Sequence, residues 1–222
     1  MDQFTPMNKS LLITRPNHDP TTNYLFYWCQ PLIKLAKSKG FTVHDLAKNR
    51  ASKKELDSHL HSRDIGIIFF NGHGNEHTIG GHNNEVLIDS RSNLTLLSHM
   101  VMYIRSCQVM VELGGKLISA GATSCIGYSR KFGFFRSTNH TTHPLTDPYA
   151  RVFLEPSNLV ISTLLKGHTT QESFIRSQKA MKKNLRRLLS SASHSDLRSM
   201  AFALLTNIKG QTIYGDQTAK LY

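Results

Sequence analysis

Several features that would restrict the class of this protein are scarce or missing in its sequence. No run of about 18 apolar residues occurs in the 222 residues, so no membrane-spanning helix is predicted. The first six residues lack the basic and apolar regions of a signal peptide. Only three cysteines are present, without paired spacing, which favours free thiols in a reducing, cytoplasmic setting.

Acidic residues are also few. The chain has 15 Asp and Glu against 27 Lys and Arg, which gives a net charge of +12 and a pI near 9.8. Such a surplus is typical of proteins that bind nucleic acid, an acidic membrane surface or an acidic partner, but a basic solvated face has the same composition. With 39% apolar residues the chain can form a proper core, and we expect one domain over residues 1–222.

Short apolar segments alternate with helical patterns in the first third of the chain. Strands are predicted at residues 10–14, 41–43 and 65–74, with a helix over 24–38 and a second helix opened by the capping box at 52–55. This β-α-β-α-β order favours a mostly parallel sheet with right-handed crossovers. The run at 65–74 is apolar throughout before Asn-Gly-His-Gly, which is typical of a strand buried on both faces.

The rest of the chain continues this alternation and then becomes helical. A hairpin is expected near 76–88, and a polar loop over 129–148. The C-terminal part, about 150–222, is predicted to be mostly helical and to end in an edge strand at 211–214. Further predicted elements are strands at 101–106 and 122–128, a helix at 111–120, a capped helix from 169, and a helix near 196–206.

Reactive side chains follow two of the predicted strands. His73 closes the third strand and Cys107 the fourth, so both would lie at the C-terminal edge of a parallel sheet, where α/β folds place their chemistry. A thiol becomes an effective nucleophile when a neighbouring histidine takes its proton. We call His73 and Cys107 the candidate dyad. The N–H groups of Gly74 and Cys107 are the expected oxyanion donors.

At these motifs the chain resembles the caspase-like cysteine peptidases, which have a histidine and a cysteine in this order. The segments 113–127 and 164–174 are similar to elements of bacterial CHAT and gingipain-like members, and Tyr214-Gly-Asp216 resembles a turn near the end of gingipain-like domains. The resemblance implies a caspase-like three-layer α/β sandwich, with a mostly parallel central sheet flanked by helices. It also implies a bacterial-type endopeptidase without a cofactor, in regulated proteolysis such as cell death or defence.

The resemblance also indicates where a peptide substrate would bind. The loop after the first strand would line the pocket for the residue before the scissile bond. An inward Asp19 would favour a basic residue there, and an inward Arg15 an acidic one. The remaining candidate substrate-binding residues border the same edge: Asn75, Glu76, Tyr128, Ser129 and Arg130.

Only 14 positions separate Cys107 from Gly121, which leaves no room for the cleavable intersubunit linker of caspases. Activation by a protein partner, a ligand or another cleavage is therefore expected. Two other interpretations remain open. The histidines at 73, 77 and 82 cluster in the sequence, and residues 73–77 resemble a zinc motif, but Gly72, Gly74 and Asn75 oppose the helix that such a motif needs. A catalytically silent scaffold could instead bind nucleic acid or an acidic protein partner through the basic helix 179–187.

Overall fold

The computed structural model describes residues 8–190 and 195–221. The first seven residues, on which the signal-peptide expectation rests, and residues 191–194 and 222 lie outside the described part. Eight strands are β1 Ser10–Arg15, β2 Thr42–Ala47, β3 Ile67–Asn71, β4 Thr78–Gly80, β5 Val86–Asp89, β6 Val101–Arg105, β7 Ser124–Tyr128 and β8 Gln211–Gly215 in the described residues. The α-helices there are α1 Pro20–Trp28, α2 Gln30–Ser38, α3 Lys53–Ser62, α4 Leu113–Ser119, α5 Pro148–Leu164, α6 Thr170–Ser190 and α7 Ser195–Gly210.

A six-stranded sheet forms the centre of the molecule, with the order β2-β1-β3-β6-β7-β8. The first five strands are parallel, and β8 adds an antiparallel edge beside β7. The strands β4 and β5 form a separate antiparallel hairpin. The predicted fold class, a mostly parallel sheet flanked by helices, is confirmed.

Apolar side chains project from both faces of this sheet. Along β3, Ile68 and Phe70 pack in one core with side chains of α3, α4 and the hairpin. Ile67 and Phe69 pack in a second core on the opposite face, with side chains of α2 and α5. All five residues of β3 are buried, which explains why residues 67–70 are all apolar rather than alternating with polar ones.

Two helical predictions were incomplete. The helix expected over residues 24–38 is two helices that meet at Cys29. Pro31 stands in the first turn of α2, where its missing N–H costs nothing, whereas inside one continuous helix it would break a hydrogen bond. The sequence predicted mostly helix from about residue 150 onward, but it set no bounds for the 17-residue helix α5. It begins at Pro148, where the Asp147 carboxylate caps the N–H groups of Tyr149 and Ala150.

Candidate active site

Two neighbouring strands end at the same level of the sheet. Asn71 pairs with Arg105 in the parallel β3–β6 ladder, and His73 and Cys107 each follow two residues later. The Gly72 N–H still donates to the Arg105 carbonyl at 3.3 Å. The Ser106 hydroxyl also donates to the Gly72 carbonyl at 3.1 Å, so the two segments stay in contact up to the residue before each member of the candidate dyad.

A buried guanidinium fixes this pair of strands just below the candidate dyad. The Arg105 side chain is fully buried and donates to Asn71 Oδ1 at 2.7 Å, to Asn158 Oδ1 at 2.8 Å and to Cys29 Sγ at 3.3 Å. These contacts lie on the sheet face covered by α1, α2 and α5.

The His73 imidazole is held by a carboxylate from the loop after β1. Its Nε2 lies 2.6 Å from Asp19 Oδ2, and the His73 side chain is 40% exposed. A carboxylate accepts hydrogen bonds only, so this contact places the ring proton on Nε2 when His73 is neutral. The Nδ1 lone pair is then free to accept a proton.

The Asp19 carboxylate is itself positioned as the N-cap of α1. Its Oδ1 accepts the Thr22 N–H at 2.8 Å, which leaves Oδ2 for His73. Burial raises the pKa of Asp19, but the hydrogen bonds from Thr22 and His73 lower it by more than burial raises it. The net pKa therefore falls below its ordinary value of 3.8. The carboxylate is therefore ionised at neutral pH.

The Cys107 thiol is half-buried beneath the loop that follows β7. Its Sγ lies 3.8 Å from the Phe132 carbonyl oxygen. Burial raises the pKa of the thiol above its ordinary value of 9.0, by more than the Phe132 backbone contact and the charge of Lys131 lower it. Over the described residues no hydrogen bond joins His73 to Cys107 in this state. The thiol is accordingly neutral at rest and needs a base before it can attack.

Two backbone N–H groups at the candidate dyad make no hydrogen bond within the described residues. Within residues 8–190 and 195–221, the N–H groups of Gly74 and Cys107 have no intramolecular acceptor. A Cβ at Gly74 would come within 2.8 Å of the Thr78 carbonyl oxygen and 2.9 Å of Ser106 Cβ. Only glycine therefore fits this close crossing of the strand end and the hairpin.

A second histidine lies in this corner, and sequence reasoning missed it. The His18 ring packs edge-on against the rings of His73, at 5.9 Å between centroids, and of His82, at 5.3 Å. Its Nε2 is 3.5 Å from Asp19 Oδ2. The signal available in the sequence was topological: β1 pairs with β3, so the loops that follow these strands meet.

The two side chains proposed for the pocket in the first loop are both engaged. The Arg15 guanidinium is buried, makes a two-pronged contact with the Asp45 carboxylate and donates to the Phe26 carbonyl at 3.1 Å. Asp19 binds His73 as described above. Tyr128 is also fully buried, and its hydroxyl lies 3.1 Å from that of Tyr103.

The other predicted substrate-binding residues each take part in hydrogen bonds within the described part of the chain. Asn75 caps a turn at the start of the hairpin. The Glu76 carboxylate accepts a hydrogen bond from the Gln108 amide at 3.3 Å, and the Gln108 N–H donates to the Arg130 carbonyl. The Ser129 N–H donates to the Gly210 carbonyl at 2.7 Å, so this N–H group is already paired within the protein.

The three histidines of the zinc-like sequence pattern do not converge. His77 is 54% exposed and pairs with Glu112 at 3.0 Å. The His82 Nδ1 accepts the Asn17 N–H at 3.3 Å. A different group does converge, because His18, Asp19 and His73 offer ligand atoms within 4.8 Å of one another.

No helix among the described residues is long and apolar enough to cross a membrane. No protein-family model matches this chain, and no curated protein matches it significantly.

Solved structures do resemble this chain. It superposes on gingipain R (RgpB), described as an Arg-specific cysteine proteinase, with a TM-score of 0.63 and 10% identity over 96% of this chain and 47% of that chain. It also superposes on the complex of the RgpB pro- and mature domains of Porphyromonas gingivalis, with a TM-score of 0.58 and 11% identity over 96% and 48%. This chain therefore spans about half the length of these structures. The likeness shows the fold: this chain has the caspase-like fold of the cysteine proteinase gingipain R.

Proposed function

We propose that this chain is a cysteine endopeptidase in which Cys107 is the nucleophile and His73 the general base and acid. The observation that carries the proposal is the pairing of the two strand ends, with one imidazole nitrogen of His73 bound to Asp19. Because Asp19 binds Nε2, Nδ1 is the His73 nitrogen that can take the proton of the Cys107 thiol. The caspase-like fold supports the same assignment.

The reaction follows from these groups. The Cys107 proton moves to His73 Nδ1 as the sulfur attacks the peptide carbonyl carbon. The oxyanion so formed is stabilised by the N–H groups of Gly74 and Cys107. Protonated His73 then gives its proton to the leaving amine, and an acyl-enzyme remains. His73 next removes a proton from water, which hydrolyses the thioester and restores the thiol.

The ionised Asp19 carboxylate contributes by stabilising the imidazolium that forms in each half of the reaction. It also fixes the tautomer and the orientation of the ring. We therefore assign Asp19 as a positioning residue rather than a wall of the substrate pocket. Because Arg15 is also engaged, the proposed determinants of preference for the residue before the scissile bond are Glu76, Asn75 and Arg130.

A fluorogenic peptide panel tests this proposal. Substrates with Arg, Lys, Asp or Leu before the scissile bond are compared on the wild type, Cys107→Ala and the matched control Cys125→Ala, which removes a fully buried thiol of β7. The Arg substrate is tested first because gingipain R is described as Arg-specific. We expect cleavage by the wild type and the control only. Equal rates for wild type and Cys107→Ala on every substrate would contradict the assignment.

We further propose a cytoplasmic, bacterial-type enzyme in a defence or cell-death pathway, activated by a protein partner or a ligand. Support for this mode of activation comes from the short connection between Cys107 and β7, which contains the helix α4. Intact mass of the active protein is expected to show no cut between residues 107 and 122. A cut there that accompanies activation would refute it.

A second candidate function is binding of nucleic acid or an acidic protein through α6. Its outer face carries exposed basic side chains that form no ion pair among the described residues: Lys179, Lys182, Lys183, Arg186 and Arg187. They recur at helical spacing and so make one continuous basic stripe. This function is compatible with catalysis at the candidate dyad, because the basic stripe on α6 contains neither dyad residue.

Binding of single-stranded and duplex oligonucleotides to Cys107→Ala tests the second candidate. Phosphate contacts predict that affinity falls by about 100-fold or more between about 50 and 200 mM salt. The double change Lys182→Glu/Arg186→Glu is expected to weaken binding at least tenfold, about 1.4 kcal/mol. The control is Lys34→Glu/Lys37→Glu on α2, which makes the same change in charge. Equal losses in the two variants would argue against a site on α6.

A further inference from the structure

A compact group of side chains that could ligate a metal ion includes His73 of the candidate dyad. His18, Asp19 and His73 each offer one ligand atom, and these atoms lie within 4.8 Å of one another. Asp19 Oδ2 is at the centre, 2.6 Å from His73 Nε2 and 3.5 Å from His18 Nε2. Two ligands of a tetrahedral zinc ion with bonds of about 2.0–2.1 Å are about 3.4 Å apart, so small shifts of these side chains would suffice.

The His18 ring is buried but poorly satisfied. Only 9% of its side chain is exposed, and its Nδ1 is a buried atom without a hydrogen-bond partner in the described residues. The hydrogen bond of its Nε2, to Asn84 Oδ1, is long at 3.3 Å. Edge contacts with the rings of His73 and His82 hold it against the cluster. A buried imidazole placed beside an ionised carboxylate, with so few partners of its own, is suited to a cation.

We propose that His18, Asp19 and His73 form a Zn²⁺ site that switches off the peptidase. Two imidazole nitrogens and one carboxylate oxygen are a ligand set that zinc prefers, whereas Mg²⁺ and Ca²⁺ prefer oxygen ligands. Three protein ligands leave a fourth position for water. The site does not depend on the Cys107 thiol.

The inhibition follows from the chemistry of the His73 ring. In the metal-free state Asp19 holds the proton on Nε2, so Nδ1 is the base. A zinc ion bound at Nε2 takes that lone pair, and the neutral ring must then carry its proton on Nδ1. Such a ring has no lone pair left for the Cys107 proton. Zinc would therefore remove the general base without touching the nucleophile.

The inhibitory role rests on the proposed peptidase function, but the metal site does not. Binding is therefore measured first, by titration calorimetry with ZnCl₂ on Cys107→Ala, which excludes zinc binding by this thiol. We expect one ion per chain, with MgCl₂ giving no comparable heat. Adding His18→Gln to this protein is expected to weaken zinc binding at least tenfold. The matched control is His77→Gln, since His77 lies on the hairpin and pairs with Glu112 instead.

Two further measurements guard against misfolding of the variants. Zinc is expected to raise the melting temperature of Cys107→Ala and of its His77→Gln form, but not of its His18→Gln form. Asp19→Asn keeps an oxygen that can cap α1 while removing the central charge, so it too should weaken zinc binding at least tenfold. Equal zinc affinity in Cys107→Ala and in a folded Cys107→Ala/His18→Gln would overturn the site.

Peptidase assays then test the consequence. Zinc should inhibit the wild type and His77→Gln at the same concentration, and at least tenfold more should be needed for His18→Gln. Activation by zinc, or inhibition that ignores His18→Gln, would overturn the proposed switch. If calorimetry finds the site but no peptide is cleaved even by the metal-free enzyme, the proposed function fails while the metal site stands.

Discussion

The two strand ends at the candidate active site are built in opposite ways. The β3 end is polar and charged, because His73 is partly exposed and binds an ionised carboxylate. The β6 end is covered, because Cys107 lies under the Phe132 backbone and burial raises the pKa of its thiol. Under the proposed function, this difference means that the base is prepared in advance and that the nucleophile stays protonated until substrate arrives.

Both ends share one support, and removing it should have the largest effect on stability. Arg105→Ala leaves Asn71 and Asn158 without their donor and opens a cavity in the core. We expect a loss of about 3–5 kcal/mol in the free energy of unfolding, measured by urea denaturation. Arg105→Met fills most of the space without the charge and should cost less. Equal stability of Arg105→Ala and wild type would show that this guanidinium does not couple the strands.

The charge at the β3 end is tested by Asp19→Asn. An asparagine can keep the cap on the Thr22 N–H, but it cannot stabilise the imidazolium as a carboxylate does. We expect kcat to fall about 100-fold or more, with little change in KM or in melting temperature. The control Thr22→Val removes the side-chain hydrogen bonds to Asp19 and keeps its charge. A larger loss of kcat in Thr22→Val than in Asp19→Asn would contradict the role of the charge.

The cover at the β6 end is tested through the residue that fixes it. Asn207, on α7, accepts the Gly133 N–H at 3.0 Å and donates to the Gly133 carbonyl at 2.7 Å, and so holds the loop next to Phe132. Asn207→Ala should cost about 1–3 kcal/mol and increase the rate at which iodoacetamide alkylates Cys107. The exposed Asn139→Ala should change neither quantity. An unchanged alkylation rate in Asn207→Ala would mean that this loop does not shield the thiol.

The pH dependence of alkylation tests the resting state of the nucleophile itself. A raised pKa means that the thiolate fraction is small at neutral pH and grows only as the pH rises past the ordinary value of 9.0. Iodoacetamide labelling of Cys107 in the substrate-free protein should therefore still be increasing above pH 9. A plateau below pH 8 would indicate a thiolate already formed at rest, and the contrast between the two strand ends would disappear.

The sequence predicted the sheet because its signals are local. The apolar run of β3, the glycines that end elements and the capping box at Ser52 each indicate the secondary structure of the segment that contains them. The order of the strands then favours a parallel sheet. The candidate dyad was predicted for the same reason, since both residues directly follow strands.

The partners of the dyad are long-range and left no comparable signal. Asp19 precedes His73 by 54 positions, and its role depends on a cap that turns one carboxylate oxygen toward β3. His18 was missed because nothing in its sequence neighbourhood indicates burial. The engagement of Arg15 by Asp45 likewise depends on the pairing of β1 with β2.

One measurement tests the central claim most directly. Peptidyl chloromethyl ketones, with Arg, Lys, Asp or Leu before the reactive group, are incubated with the protein, and the adduct is located by mass spectrometry. The account predicts one adduct, on Cys107, that forms at least tenfold more slowly in His73→Ala. An adduct on Cys29 or Cys125, or one on Cys107 whose rate does not change in His73→Ala, would contradict it.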